Sequence, residues 1–331
     1  MKSSLSLRLL NGCLACLLAV FVFGCRAQTV SQKAGATFAV AEKELSQYPN
    51  LIVYGDMRFT NPTEKEKANP KARVDLVEQI ANEHPDAVQL TGDVPLAGGN
   101  QPDYAQYAAE TGSWRNAKLR IYPALGNHEF AGKDKEHALD NWWGAFPELK
   151  GMRWYSVALG RRIYLIQLDS TSDLTPGTPQ RTWLEDQVAH LDASVEFVFI
   201  GMHHPPMADI QTHLQVDHNP RPNEISLRDY LSGVAPKARA KFIVTAGHIH
   251  NYERFEKDGV VYLVSGGGGA KPYFVERTED DLYQDPNFPN FHYIKFVLDG
   301  KEMKATMYRI GDPTTAKPEF QAKDRFTITA K

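Results

Sequence analysis

Five short polar blocks follow apolar runs in this 331-residue chain, and their positions constrain its fold more than any other feature. Each block contains carboxylate, amide or imidazole side chains and comes directly after a stretch with the length and composition of a buried strand. Because open α/β sheets bind ligands at the carboxyl ends of their strands, the blocks are predicted to lie at one such edge. The blocks are Gly55-Asp56, Gly92-Asp93, Gly126-Asn127-His128-Glu129, His203-His204-Pro205 and Gly247-His248-Ile249-His250.

The segments between the blocks alternate between helix-like and strand-like patterns, which is typical of an α/β fold. The region after His250 is rich in predicted strands, and residues 154–168 have the pattern of a hairpin. No repeat or clear linker divides the chain, so residues 49–331 are predicted to form one domain. Helices are predicted at 73–84, 103–115 and 178–191, and strands at 51–56, 86–91, 119–125, 195–201 and 241–245.

The first 25 residues have the pattern of a bacterial export signal. Lys2 and Arg8 precede an apolar run at 14–23, and no acidic residue occurs before Glu42. This run is too short and too close to the start to indicate a spanning helix. All three cysteines lie in or beside it, so the exported body is predicted to have no disulfide and no cysteine nucleophile or ligand. They are Cys13, Cys16 and Cys25.

Two interpretations of the processing site remain open. Gly24-Cys25 follows the apolar run directly and resembles a lipoprotein signal, although Phe23 stands where a small residue is usual. A lipid on Cys25 would anchor the protein, and Arg26 at the next position would not retain it at the inner membrane. Cleavage nearby, for example after Ala27, would instead release the chain. The protein is therefore predicted to be exported, either to the periplasm, outer membrane or cell surface as a lipoprotein, or as a secreted protein. Residues 26–48 are predicted to be a spacer with a short helix.

The composition is that of an ordinary globular protein, with 42% hydrophobic and 23% charged residues. The formal net charge is −3, so the chain lacks the basic excess of a general nucleic-acid binder. No nucleic-acid partner is expected, and the only membrane contact predicted is the lipid at Cys25.

The polar residues of the blocks are chemically suited to metal ions. The carboxylate and amide oxygens of Asp56, Asp93 and Asn127 suit divalent ions, although any one such residue alone is more often a helix cap or turn residue. Imidazole nitrogens suit zinc, iron and manganese, and a His-x-His pair on extended backbone places both rings on one face. The histidines considered as ligands are His203, His248 and His250.

The block Asn127-His128-Glu129 is the most specific of the five. An amide oxygen is a weak ligand, and the neighbouring His128 could protonate a leaving alkoxide as a general acid. If the tripeptide stood alone, a turn with a surface histidine would be the simpler interpretation.

In their order and surroundings, the blocks resemble those of the calcineurin-like metallophosphoesterases, nearest to the purple-acid-phosphatase-like and bacterial phosphodiesterase branches. The resemblance covers nearly all of residues 50–310 and implies a four-layer αββα sandwich of two mixed sheets. It also implies that a hydroxide bound to two divalent or trivalent ions (iron, zinc or manganese) hydrolyses a small phosphate ester, with His128 as general acid.

The resemblance also implies a role for each block residue. One ion would be held by Asp56, Asp93 and His250, and the other by Asp93, Asn127, His203 and His248. Asp93 would bridge the ions and would be catalytic together with His128 and Asn127. His204 would line the pocket, and the substrate would contact Arg58, His204 and Asn127.

Arg58 is the main departure from the family pattern. Many relatives have a histidine there that completes the first ion's shell. Others have glycine and supply a tyrosine three residues after the bridging aspartate, where this chain has Leu96. Arginine is always protonated and cannot ligate a metal. Arg58 could therefore contact the substrate phosphate, which we prefer, leave the first ion weakly bound or absent, or form a salt bridge with a nearby carboxylate.

Two other functions remain open. A narrow phosphodiesterase or nucleotidase would select its substrate with the long polar loop at 207–224, since such loops in compact domains are usually functional or mobile. A non-catalytic surface lipoprotein that binds phosphate or glycan could keep the fold and lose one metal at Arg58. The intact Asn127-His128 pair argues against the second possibility, because a binding protein does not need an acid for a leaving group.

Overall fold

The computed structural model describes residues 35–211 and 218–331. The predicted export signal and its three cysteines lie outside the described residues. Within these residues, thirteen strands run in chain order as β1 (Phe38–Val40), β2 (Asn50–Tyr54), β3 (Ala87–Leu90), β4 (Ile121–Pro123), β5 (Tyr155–Leu159), β6 (Ile163–Gln167), β7 (Phe197–Gly201), β8 (Lys241–Ala246), β9 (Tyr252–Lys257), β10 (Val260–Ser265), β11 (His292–Asp299), β12 (Glu302–Ile310) and β13 (Phe320–Thr329).

Six α-helices lie in the same part of the chain, with short 3-10 helices at Glu42–Glu44, His128–Phe130, Lys135–His137 and Pro147–Leu149. α1 begins where the Asn69 side chain accepts a hydrogen bond from the amide of Ala72 at 3.0 Å, with Pro70 as its first residue. The helices are α1 (Pro70–Asn82), α2 (Gln101–Glu110), α3 (Gly112–Asn116), α4 (Ala138–Ala145), α5 (Pro179–Ala189) and α6 (Pro222–Val234).

The strands form two mixed sheets. The seven-stranded sheet has the order β1-β5-β6-β7-β8-β10-β9, and the six-stranded sheet has the order β13-β12-β11-β2-β3-β4. In the first sheet β6, β7, β8 and β10 are parallel, and in the second β2, β3 and β4 are parallel. Each sheet therefore has a group of parallel strands whose carboxyl ends lie at one edge, which is where ligands bind in open α/β sheets.

The two sheets pack face to face, and helices cover their outer faces. The rings of Phe199 on β7 and Phe296 on β11 meet between the sheets with centroids 4.9 Å apart. On β7, the residues on either side of Phe199, Val198 and Ile200, point to the opposite face of the sheet and pack with residues of α5 and α6 such as Leu184. On the far side of the other sheet, Tyr54 packs against Trp114 of α3 at 6.0 Å. This layering confirms the predicted α/β class and αββα sandwich.

Several elements differ from the sequence prediction. The predicted helix at 103–115 is two helices, α2 and α3, and the predicted strand at 119–125 is only the three residues of β4. The helices α4 and α6 and the strand β9 were not predicted. Strand β1 lies in the segment predicted to be a spacer and pairs in parallel with β5. The strand-bearing unit therefore extends N-terminally of residue 49, because β1 completes the edge of the seven-stranded sheet.

None of the helices among the described residues combines the length and the apolar character that a bilayer crossing requires.

Candidate metal centre

The residues of the five blocks come together from both sheets. Asp56, Asp93 and Asn127 follow β2, β3 and β4 of the six-stranded sheet, and they supply oxygen atoms. The nitrogen atoms come from the seven-stranded sheet, where His203 follows β7 and the pair His248 and His250 follows β8. The site is therefore composed of two halves, each positioned by the carboxyl ends of parallel strands.

The backbone at these strand ends adopts a conformation that side-chain-bearing residues rarely adopt. Among the described residues, seven non-glycine positions have positive φ, and four of them belong to this site. Such backbone costs free energy and persists only where the surroundings enforce it, and it is concentrated at functional sites. The four are Asp56 (58°), Arg58 (50°), Asp93 (54°) and His248 (73°).

His203 is at the centre of one cluster of donor atoms. Its Nε2 lies 2.9 Å from Asn127 Oδ1, 3.2 Å from Asp93 Oδ1 and 3.3 Å from His248 Nδ1. Its Nδ1 is 2.9 Å from the carbonyl oxygen of Thr91, which can only accept, so Nδ1 carries the proton of the neutral ring. Burial lowers the pKa of His203 and favours that neutral form. The Nε2 lone pair therefore faces the Asp93 carboxylate, an arrangement that a cation would stabilise.

A second cluster pairs Asp56 with His250. Asp56 Oδ1 and His250 Nε2 are both buried, lie 3.4 Å apart, and have no hydrogen-bond partner in the described part of the chain. His250 Nδ1 donates to the carbonyl of Lys271 at 2.6 Å, and burial lowers the pKa of this histidine. Again a lone pair faces a carboxylate oxygen. Because unpaired buried polar atoms are costly, this geometry fits a bound cation.

Two glycines allow these groups to approach closely. A Cβ on Gly126 would collide with Asp93 Oδ1, and one on Gly247 would collide with Asp56 Oδ2. The glycines in the GNHE and GHIH blocks are therefore required sterically, because each lies directly against a carboxylate of the site.

Glu129 accepts hydrogen bonds from the backbone at two strand ends of the site, a role that was not predicted from the sequence. Its carboxylate accepts hydrogen bonds from the amides of Asp93 (3.0 Å), Val94 (2.9 Å) and Gly126 (2.6 Å). Burial and the neighbouring Asp93 charge raise the pKa of Glu129 to about 8, although the three amide donors act in the opposite direction. Glu129 thus connects the ends of β3 and β4.

His128 is half-buried beside the carboxylate of Asp93, the residue predicted to bridge the ions. Its amide donates to Asp93 Oδ1 at 2.9 Å, and its ring Nδ1 is 2.5 Å from the carbonyl of Leu96. This carbonyl fixes the Nδ1 proton and the orientation of the ring, so Nε2 is the atom available for proton transfer.

Three further side chains extend the site beyond the predicted ligands. His204 Nδ1 is 2.8 Å from Ser170 Oγ, and its ring lies 4.5 Å from that of His248. His218 Nδ1 is 3.0 Å from His248 Nε2. Tyr273 stacks on His250 at 4.0 Å and on His218 at 5.0 Å. His218 is not among the site residues predicted from the sequence, where its only signal is its position in the long polar loop at 207–224.

Arg58 forms an ion pair within the site. Its Nη2 lies 3.1 Å from Asp93 Oδ2, with the arginine side chain 12% exposed and the aspartate fully buried. Burial alone would raise the pKa of Asp93, but the positive charge of the neighbouring Arg58 guanidinium acts to lower it. The salt bridge, one of the three roles considered for Arg58, is therefore present, whereas the phosphate contact stays a prediction.

Comparison with known proteins agrees with the fold and identifies the family. The model of the calcineurin-like phosphoesterase family matches residues 50–267, so the chain belongs to that family, as its resemblance predicted. The family implies a dinuclear metal centre, and ligand atoms of Asp56, Asp93 and His203, and of His203, His204 and His248, lie close enough to hold ions.

Individual relatives are similar over part or all of their length. The probable purple acid phosphatase 20 of Arabidopsis thaliana is 26% identical over 237 residues, which cover 64% of this chain and 53% of that protein. The structure of purple acid phosphatase PPD1 from yellow lupin (Lupinus luteus) has a TM-score of 0.69 at 20% identity, over 86% of this chain and 54% of that one. This chain therefore spans about half the length of both. A dimetal phosphatase from Danio rerio has a TM-score of 0.57 at 14% identity, over 86% of this chain and 99% of its own.

Proposed function

We propose that this chain hydrolyses small phosphate esters with two metal ions held between its two sheets. The observation that carries the proposal is that buried oxygen and nitrogen lone pairs face one another in two adjoining clusters. Ions bound there would supply an activated water and offset charge on the phosphoryl oxygens. The first ion would be held by Asp56, Asp93 and His250, and the second by Asp93, Asn127, His203 and His248.

The donor set favours particular metals. Three imidazole nitrogens beside carboxylate and amide oxygens suit zinc, iron or manganese better than magnesium or calcium. Because Leu96 stands where some relatives have a tyrosine ligand, an iron-loaded protein is not expected to have a tyrosinate charge-transfer colour.

His128 is proposed to protonate the leaving group. The Leu96 carbonyl holds the Nδ1 proton, so a protonated ring presents its second proton at Nε2. The amide of His128 is bonded to Asp93, which keeps the ring beside the carboxylate shared by the ions. A positioned acid of this kind contributes about 10²–10⁴-fold to a rate.

The substrate phosphate is proposed to contact Asn127, His204 and Arg58. The guanidinium of Arg58 and the polar side chains of Asn127 and His204 are suited to bind phosphoryl oxygens. Burial lowers the pKa of His204 to about 2, so this ring would act as a neutral donor or acceptor rather than as a cation. The alternative of a narrow phosphodiesterase or nucleotidase would use the same contacts.

A turnover assay tests the proposal. Protein stripped with a chelator and reloaded with Mn²⁺ or Zn²⁺ is expected to release p-nitrophenol from p-nitrophenyl phosphate, from bis-p-nitrophenyl phosphate, or from both. Release from the diester alone would favour the phosphodiesterase alternative. Absence of release from either, with metal bound, would contradict the proposal and favour a non-catalytic phosphate- or glycan-binding protein. Asp93→Asn should abolish turnover, whereas the exposed His190→Asn should not.

The acid role of His128 has its own test. His128→Asn is expected to lower kcat about 10²-fold or more for an alkyl phosphate, whose leaving group needs a proton. The effect should be much smaller for p-nitrophenyl phosphate, whose leaving group departs without one. Equal losses on both substrates would count against the acid role.

We also propose that residues 1–25 direct export and that Cys25 carries a lipid. Incorporation of labelled palmitate into the wild-type chain, and its loss in Cys25→Ser, is the expected result. An unlabelled, exported wild-type chain would favour simple cleavage and secretion.

A further inference from the structure

The side chain of Arg58 is bonded to Asp93, the carboxylate that both ions would share, and this contact affects metal binding. The backbone N–H of Arg58 donates to the carbonyl of Asp93 at 3.0 Å, and its left-handed φ of 50° turns the chain back toward that residue. The side chain then reaches Asp93 Oδ2 at 3.1 Å. Backbone and side chain of Arg58 are thus both bonded to Asp93, so the guanidinium is held in place rather than left to move freely.

The two oxygens of Asp93 have different surroundings as a result. Oδ1 faces His203 Nε2 at 3.2 Å, which is the side of the Asn127 and His248 cluster. Oδ2 is bonded to the Arg58 guanidinium. In the carboxylate that both ions would share, Oδ1 therefore faces the donors of the second ion, whereas Oδ2 is already paired with the guanidinium of Arg58.

The first ion's donors are fewer. Asp56 Oδ1 and His250 Nε2 face each other without a hydrogen-bond partner within the described residues, and they fit a cation. An ion there would need Asp93 as its third protein ligand, and it would lie beside a guanidinium that stays protonated. Like charges repel each other, and the repulsion is stronger beside a largely buried guanidinium than in bulk water.

We infer that Arg58 makes the two metal sites unequal, so that the second ion binds tightly and the first binds weakly and exchanges. Arg58 acts on the first ion in two ways, because it occupies Asp93 Oδ2 and because its positive charge lies beside the ion's position. The inference rests on the proposed metal-dependent function, but its test measures binding and does not require turnover.

Calorimetric titration of Mn²⁺ into chelator-treated, dialysed protein provides the test. The wild-type chain is expected to bind one ion tightly and another at least about tenfold more weakly. Asn127→Ala should weaken the tight event and Asp56→Asn should remove the weak one, which assigns each event to its site. Two wild-type events of equal, tight affinity would overturn the inference without reference to any variant.

Substitutions of Arg58 separate its charge from its size. Arg58→Gln, which removes the charge without adding an imidazole, should tighten the weak event about tenfold or more. Arg58→His should tighten it further by adding a ligand, and Arg58→Lys should leave it weak. Arg162→Gln is the matched control. Arg162 pairs with Glu196, and both residues lie just before the amino ends of β6 and β7, whereas the metal site lies at the carboxyl ends. Metal content after dialysis should rise from about one to about two ions per chain in Arg58→Gln and Arg58→His.

The outcomes distinguish this inference from the proposed function. If Arg58→Gln folds, as judged by circular dichroism, and leaves both dissociation constants unchanged, the inference is wrong even when the enzyme turns over. If the affinities change as expected but no phosphate ester is hydrolysed, the proposed function is wrong and the inference stands.

Discussion

At the scale of single residues, the site is characterised by acceptor atoms that face one another. His203 and His250 each use Nδ1 to donate to a backbone carbonyl, and each directs a bare Nε2 at a carboxylate. A hydrogen bond between ring and carboxylate would need a second proton on the ring, which burial disfavours. The hydrogen bond of Nδ1 therefore leaves Nε2 as the nitrogen that can bind a metal ion, which is a common arrangement around metal ligands.

Glu129 gives the prediction that belongs to this scale. Glu129→Gln should lower the free energy of unfolding by about 1–3 kcal/mol, because an amide has one acceptor oxygen where the carboxylate accepts three backbone N–H groups with two. Urea unfolding of the metal-free protein measures this. The matched control Glu148→Gln changes an exposed glutamate and should have almost no effect. Equal stability of Glu129→Gln and the wild type would mean that these bonds do not hold the two strand ends together.

At the scale of elements, buried carboxylates connect two loops beside the site to strand β9. Glu253 on β9 accepts from the amide of Asp209 at 2.7 Å, and Asp209 accepts from the amide and hydroxyl of Thr278 at 2.8 and 2.7 Å. Asp281 accepts from the amide of Arg254 on β9 at 3.0 Å and pairs with Arg277. Three acidic residues and one arginine are therefore enclosed together, and like charges there disfavour ionisation.

This cluster predicts a pH dependence of stability. Burial raises the pKa of Asp281 to about 7, and burial and the Asp209 charge raise the pKa of Glu253 well above its ordinary value. A carboxyl with a higher pKa in the folded state holds its proton more tightly when folded, so its contribution to stability falls as the pH rises from about 4 to about 7. Glu253→Gln removes one of these charges and should make the decline smaller.

Unfolding in urea at pH 5 and pH 8, with chelator present, measures the difference. The free energy of unfolding of Glu253→Gln minus that of the wild type should be more positive at pH 8 than at pH 5. Glu256→Gln, an exposed position on the same strand, should follow the wild-type curve. Parallel curves for wild type and Glu253→Gln would refute the prediction.

The elements also indicate how far the sequence could predict the structure. The strands that precede the blocks are continuous apolar runs, so their positions and the order of the site residues could be predicted. β9 has the sequence YERFEK, whose charged residues do not form an apolar strand pattern. This strand forms because it pairs with β10. β1 is three residues long and pairs with a strand more than a hundred residues later, which no local pattern indicates. His218 likewise joins the site only through tertiary contacts.

At the scale of the whole molecule, the metal centre depends on how the two sheets are aligned. Its oxygens come from one sheet and its imidazoles from the other, and a buried polar network connects the sheets beneath it. Gln89 on β3 donates to Gln167 on β6 at 3.0 Å and accepts from the hydroxyl of Thr245 on β8 at 2.9 Å. These bonds join β3 of the six-stranded sheet to β6 and β8 of the seven-stranded sheet. Because hydrogen bonds depend on direction more than apolar contacts do, they help to fix how the two sheets are aligned.

Replacement of Gln89 tests this coupling. Gln89→Met has a similar volume but leaves Gln167 Oε1 and the Thr245 hydroxyl without this partner, so the free energy of unfolding should fall by about 2–3 kcal/mol. Mn²⁺ affinity should fall several-fold as well, because the two halves of the site are less well aligned. Gln321→Met, at an exposed position on β13, is the control. A loss of stability without any loss of Mn²⁺ affinity would show that the network stabilises the sandwich but does not align the site.

Metal should in turn stabilise the whole fold, because the donors meet only when both sheets are in place. An ion that binds the folded chain and not the unfolded one adds about 2.7 kcal/mol at a free concentration of 100 times its dissociation constant. Urea unfolding of chelated and Mn²⁺-loaded protein should therefore differ by about that amount for the tight site. Asp93→Asn, which alters the residue proposed to bind both ions, should lose most of the gain, whereas the exposed Asp280→Asn should keep it. A gain of the same size in Asp93→Asn would mean that Mn²⁺ binds elsewhere and that the two sheets are not joined through this centre.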